Sequence, residues 1–200
     1  MASGTLAPPL EAFTAAHTLE FARANDRAKA VRKAARVAAF NGWISALLAA
    51  GSLPFALFGI DGLVVSVVLT VVAFNEFLGR RRLLAFDPKG ADLLGWNQLG
   101  LLAAIIVYCL WSVYANLTGG NPLTEELKHT PELNDILGGG GVDNMFQQFV
   151  FAFYGLVVLL SVVFQGGNAW YYFSRRKHVE ACLNETPPWV RELQRAASYF

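Results

Sequence analysis

Four long apolar blocks, kept apart by short charged or glycine-bearing stretches, dominate the pattern of the chain. The first runs from about Val37 to Phe58, the second from Gly62 to Leu78, the third from Leu93 to Ala115 and the fourth from Phe146 to Phe173. Such segregation is what a bilayer imposes, whereas a core facing water needs apolar and polar residues mixed at the helical period. Only Gly59, Ile60, Asp61 and Gly62 join the first two blocks, which predicts a tight transmembrane hairpin. A second hairpin follows, its outward loop spanning residues 116–145 and carrying Glu125, Glu126, Glu132, Asp135 and Asp143. The fourth block is long enough to project beyond the membrane. The expected fold is all-α: a polytopic membrane protein with four transmembrane helices in two hairpins and an amphipathic cytoplasmic helix at each end. Its expected parts are an N-terminal helix at 1–36, the first hairpin at 37–79, a basic cytoplasmic loop at 80–92, the second hairpin at 93–173 and a tail at 174–200.

At the N-terminal end the chain reads as helical from Pro9. Leu10, Phe13, His17, Phe21, Ala24, Ala28, Val31 and Ala35 make a heptad-like stripe that rests on the membrane, continues into the first span, or binds a partner helix. At the other end Thr186, Pro187 and Pro188 are a helix-start signal. Trp189, Val190, Leu193, Ala197 and Phe200 then share an apolar face, suited to the membrane interface or to docking on the alanine stripe. In the outward loop, Thr130, Pro131 and Glu132 start a short helix that a flexible run from Gly138 to Gly141 ends.

Composition agrees with the pattern: 54% of residues are hydrophobic and only 16% charged. A formal net charge of +1 gives no general attraction to nucleic acid, so the position of the charges is what matters. Of the 16 Lys and Arg residues, all but Lys128 lie before the first span, between the second and third, or after the fourth. Positive residues near span ends stay in the cytoplasm, so both termini are expected there. Cys109 falls in the third span and Cys182 in the tail, too far apart in depth for a disulfide and therefore expected as reduced packing residues. No secretory signal is apparent, because the first long apolar stretch is itself a span.

The spans carry a polar layer. Counted inward from the basic ends, Asn41, Asn75, Asn97 and Asn168 lie at similar depth, with Glu76, Gln98 and Gln165 close by. Carboxamides avoid lipid, so they are expected to bond across helices, at about 0.6 kcal/mol each. Trp43, Trp96 and Trp170 supply an interfacial belt. Glu76 is the most informative ionisable residue, since an intramembrane carboxylate is a functional candidate by default. One turn before Arg80, it also has the spacing of a helical ion pair. Asn41-Gly42-Trp43 and Gly95-Trp96-Asn97, with Asn75 and Asn168 each preceding a basic triplet, suggest either that the hairpins are related or that Trp and Arg converge at the membrane interface without duplication. Gly42, Ala46 and Ala50, and Gly100 with Ala104, are expected to be close-packing surfaces, within the chain or between subunits.

Catalytic constellations are missing: there is no phosphate-cradling glycine loop, no paired Cys ligands and no His spacing for haem or metal. No cofactor is expected. The run Asn75-Glu76-Phe77-Leu78-Gly79-Arg80-Arg81-Arg82, continuing through Asp87-Pro88 to Leu94-Gly95-Trp96-Asn97-Gln98-Leu99, resembles one in uncharacterised small bacterial four-span membrane proteins. Thr186-Pro187-Pro188-Trp189-Val190 is similar to their tail. The resemblance covers most of the chain from the first span onward; it implies a bacterial inner-membrane location and carries over no functional residue. The expected function is non-enzymatic: a scaffold, assembly factor or accessory subunit whose partners are the bilayer, copies of itself or other membrane subunits. The alternative is an oligomeric channel or small transporter with Glu76 and the asparagine layer at a cytoplasmic gate. Leu10, Phe13, Phe21, Trp189, Val190 and Leu193 are the expected interaction residues.

Overall fold

The structure, a computed structural model, describes residues 14–57, 59–119 and 139–197, apart from the side chains at 61, 139–143, 195 and 197. Leu10, Phe13 and the loop residues Glu125 to Leu137 lie outside that description. The described residues form five helices: α1 (Ala15–Ala56), α2 (Ile60–Leu84), α3 (Lys89–Thr118), α4 (Gly139–Glu185) and α5 (Pro188–Ala197). The first four are long and apolar enough to cross a membrane, and the chain is a multi-pass membrane protein.

At 42 residues, α1 is about 63 Å long, twice the roughly 30 Å of bilayer hydrocarbon. The expected N-terminal helix and first span are therefore one rod, with no break at residue 36, because the alanine-rich stretch between them has no glycine or proline to interrupt it. Thr14 caps the start in extended backbone, and its N–H donates to His17 Nδ1 at 3.3 Å. The hairpin to α2 turns at Gly59 and is drawn tight at Gly62. A Cβ there would stand 2.4 Å from the Phe55 carbonyl carbon and 2.6 Å from the Ala56 nitrogen.

The expected basic loop at 80–92 shrinks to residues 85–88, since Arg80, Arg81 and Arg82 belong to α2 and Lys89 begins α3. Local capping explains the contraction. Phe86 adopts a left-handed φ of 57°, and the Asp87 N–H reaches back to the Arg82 carbonyl at 2.9 Å, closing the C-terminus of α2. The Asp87 carboxylate then accepts the Lys89 N–H at 3.0 Å, starting the next helix two residues later. The glycines at 139–141 also differ from expectation, forming the first turn of α4 rather than a flexible end to an earlier helix. With 47 residues, α4 is about 70 Å long and outruns a bilayer, as its apolar length suggested.

The chain divides into two compact units. One comprises residues 1–99 and 168–200, and in it the alanine stripe of α1 becomes a core. Ala28, Val31, Ala34, Ala35 and Ala38 pack with Leu83 and Phe86 near the end of α2, Ala91 and Leu94 on α3, and Tyr172, Val179 and Cys182 on α4. The stripe is thus covered within the chain from Ala24 onward, while Phe21 is 40% exposed. Small side chains let the helix backbones approach closely, which compensates for the little area each buries. The same unit holds α5. Its Val190 is fully buried, the Trp189 ring meets the His17 ring edge-on at 5.7 Å, and Arg27 pairs with Glu185 at 3.0 Å. Docking against α1 is therefore realised, but Leu193 is 44% exposed. Val190 and Gln194, four apart, take the docked side, which leaves Leu193 off it.

The expected α1 stripe also changes register. The buried row is Ala38, Gly42, Ser45 and Ala49, with Ala50 exposed, because a helix of 3.6 residues per turn alternates steps of four and three. The other unit comprises residues 100–167, where Cys109 and Ser112 on α3 and Val150 and Ser161 on α4 are buried. Gly100 is exposed with open space around it, so the expected Gly100–Ala104 surface packs against nothing there. Cys109 and Cys182 are free thiols, both buried.

Candidate functional site

Within the first unit, α1, α2, α3 and α4 bring five polar side chains around the carboxyl group of Glu76, which is 0% exposed. Each arrives for a local reason. Glu76 shares a face of α2 with the buried residues Val72, Ala73, Gly79 and Leu83. Gly79 permits this approach: a Cβ at that position would stand 2.5 Å from the Leu94 side chain of α3. Because α3 crosses so close, two adjacent amides can reach one carboxylate oxygen. Asn97 Nδ2 donates to Glu76 Oε1 at 3.0 Å and Gln98 Nε2 donates to the same oxygen at 2.7 Å.

The second oxygen faces α4. Tyr172 Oη donates to Glu76 Oε2 at 3.3 Å and accepts from Asn41 Nδ2 of α1 at 3.1 Å. Asn97 is also held from below, since its Nδ2 reaches the Val72 carbonyl at 3.1 Å and its Oδ1 accepts from Asn75 Nδ2 at 3.2 Å. The result is a continuous network in which, among the described residues, a buried carboxyl group receives three donors and no cation. Burying a carboxylate is costly, and donors aimed at both oxygens are what make it tolerable. With one carboxyl group among amides and a phenol, the cluster lacks the several anionic oxygens that hard divalent cations prefer.

Asn41, Asn75, Glu76, Asn97 and Gln98 of the expected layer are thus brought together. Asn168 and Gln165 are not. Among the described residues, the half-buried Asn168 makes no side-chain hydrogen bond, and Gln165, in the other unit, has a buried Oε1 without a partner. Tyr172 takes the place expected of Asn168, one helical turn further on. A tyrosine beside two other aromatics in Trp170-Tyr171-Tyr172 looks like part of an interfacial belt, and only its depth relative to Glu76 could have marked it out. The expected Glu76–Arg80 ion pair is also replaced. Arg80 is exposed, whereas Glu76 turns into the helix interface, where the amides are nearer.

The suggested relation between the hairpins has a structural counterpart in a different register. Gly42 lets Trp43 of α1 meet Phe77 of α2 edge-on at 5.6 Å, and Gly95 lets Trp96 of α3 meet Phe173 of α4 edge-on at 6.0 Å. A Cβ would stand 3.1 Å from the Phe77 ring at Gly42 and 2.5 Å from the Phe173 ring at Gly95. Matching Phe77 with Phe173 pairs Glu76 with Tyr172, not Asn75 with Asn168. On that matching, the two residues bonded at the centre of the network take corresponding positions. Trp43, Trp96 and Trp170 are all exposed, as residues of an interfacial belt would be.

Beyond the network, Arg176 of α4 bridges Asp92 of α3 at 3.0 Å and Glu180 at 2.8 Å, and the Arg175 guanidinium lies 4.6 Å from the Tyr171 ring centre. The exposed Arg176 pairs orient helix ends and add little stability, whereas Arg175 and Tyr171 are half-buried. No protein-family model, curated protein or solved structure matches this chain.

Proposed function

We propose that this is a non-enzymatic protein of the bacterial inner membrane, with both termini in the cytoplasm, acting as a scaffold, assembly factor or accessory subunit. The observation that supports this reading most is the closed network at Glu76, whose carboxyl group is fully buried and engaged by Asn97, Gln98 and Tyr172. An intramembrane acid used in this way ties helices together instead of meeting a substrate. The one-sided distribution of Lys and Arg supports the orientation, and the resemblance to small bacterial four-span proteins supports the location. The part of α5 left uncovered around Leu193 offers a surface for a copy of the chain or another membrane subunit.

The test is the native mass after gentle extraction, with every co-purifying chain identified. Discrete multiples of the chain, or stable foreign subunits lost on deleting residues 186–200, are the expected results. A monomer without companions overturns the reading. A second reading, an oligomeric channel or small transporter, is favoured by one feature: the carboxyl group at the meeting point of four helices has no cationic partner among the described residues. If it serves permeation, Glu76→Gln changes flux in proteoliposomes while assembly is retained. Absence of flux in the unmodified protein removes this alternative.

A further inference from the structure

Just beyond the polar network, α1 and the end of α2 enclose an open recess of about 450 Å³. Asn25, Lys29, Arg32 and Arg36 line it from α1, at successive steps of four, three and four, and therefore from one helix face. Arg80 and Leu84 close it from α2. Four cations thus surround one concavity. Lys29 has a partner in Asp26 at 2.7 Å, on the exposed surface. Arg36 and Arg80 have no ion-pair partner among the described residues. Arg32 is held in place from within, its Nη2 donating to the Asn25 carbonyl at 3.0 Å and to the Asn25 side-chain oxygen.

No acid lines the recess, so the guanidinium groups of Arg32, Arg36 and Arg80 repel one another, and a bound anion relieves that repulsion. Guanidinium groups are planar forks whose paired N–H donors match phosphate oxygens. The position narrows the class further. Arg36 immediately precedes the apolar block that starts at Val37, and Arg80 lies two residues after the block that ends at Leu78. The recess therefore sits at the level of lipid headgroups, and Leu84 and Ala35 give it an apolar wall. We infer that the recess binds a phosphate group, supplied by the headgroup of an anionic phospholipid. Basic pockets beside transmembrane helix ends are suited to such headgroups.

The test uses the full-length protein in mixed micelles containing phosphatidylglycerol or phosphatidylcholine, with the retained lipid quantified after washing. In a separate arm, inorganic phosphate is added to phosphatidylcholine micelles and thermal stabilisation is followed. The informative variant is Arg36→Gln with Arg80→Gln, and the charge-matched control is Lys33→Gln with Arg81→Gln, two exposed positions that do not line the recess. Preferential retention of phosphatidylglycerol is expected, weakened about 30-fold in the first double variant for two lost basic contacts and within about twofold of wild type in the control. Stabilisation by inorganic phosphate that the first variant loses, without a preference for phosphatidylglycerol, keeps the phosphate site and assigns it a soluble source. Equal losses in both double variants mean only diffuse attraction to a basic surface and overturn the site, as does the absence of any preference in the unmodified protein. Unchanged helical circular dichroism and elution volume show that a variant is folded.

Discussion

Glu76 shows how one buried group organises its neighbours, and its variants separate shape from charge. Glu76→Gln keeps an oxygen for Asn97 and Gln98 and is expected to alter stability by less than about 1 kcal/mol. Glu76→Leu strands the Gln98 amide and the Tyr172 hydroxyl in the helix interface and should cost about 2 kcal/mol, read from equilibrium unfolding in mixed micelles. Equal losses for Gln and Leu would show that the carboxylate charge, and not its acceptors, holds the helices. Tyr172→Phe removes the link between Asn41 and Glu76 and should cost about 1 kcal/mol by the same measurement. The carboxamides of this cluster were legible because lipid excludes them wherever they occur in a span. Tyr172 is not, since a phenol is equally at home at an interface, and Glu76 stays open between a pair with Arg80 and a functional role because spacing along one helix says nothing about amides on another.

Helix ends and turns are where single residues decide the path of the chain. At Gly62 any side chain would run into the backbone at Phe55 and Ala56, so Gly62→Val is expected to open the first hairpin and lower the unfolding midpoint markedly. A midpoint equal to that of wild type would mean that the turn relaxes without loss. Phe86 holds an unfavourable left-handed backbone for a non-glycine residue, and burial of its ring in the α1 core offsets that strain. Phe86→Ala keeps the strain and loses the burial, so a loss of about 3 kcal/mol is expected. Phe86→Gly gives up the same ring but relieves the backbone and should be less damaging than Ala. This order, measured side by side, distinguishes a strained cap from an ordinary core position. The turn at 59–62 was visible in sequence as a break between two apolar runs; the cap at 85–88 was hidden by three arginines, which read as loop but continue the helix.

The chain as a whole is a membrane protein whose basic residues, all but Lys128, lie before the first span, between the second and third, or after the fourth. The proposed orientation is tested by placing single cysteines and labelling intact cells with an impermeant thiol reagent. Thr118→Cys should react from outside, and Arg81→Cys and Lys177→Cys only after the membrane is opened. Reaction of Arg81→Cys in intact cells would reverse the topology. The native Cys109 and Cys182 are both buried, which keeps background labelling low.

Four apolar helices long enough to span and the alanine stripe follow from hydropathy and helical period alone, because lipid and the 3.6-residue turn act on each segment without regard to the rest of the chain. Which polar groups meet, which stripe register is buried and where α5 rests are contacts between segments far apart in sequence. Asn41 and Tyr172 are 131 residues apart, and Glu76 and Tyr172 are 96 apart. Such pairings depend on the depth and rotation of each helix against its neighbours. Close approach sets those quantities at Gly42, Gly79 and Gly95, where the absent side chain is filled by Phe77, Leu94 and Phe173.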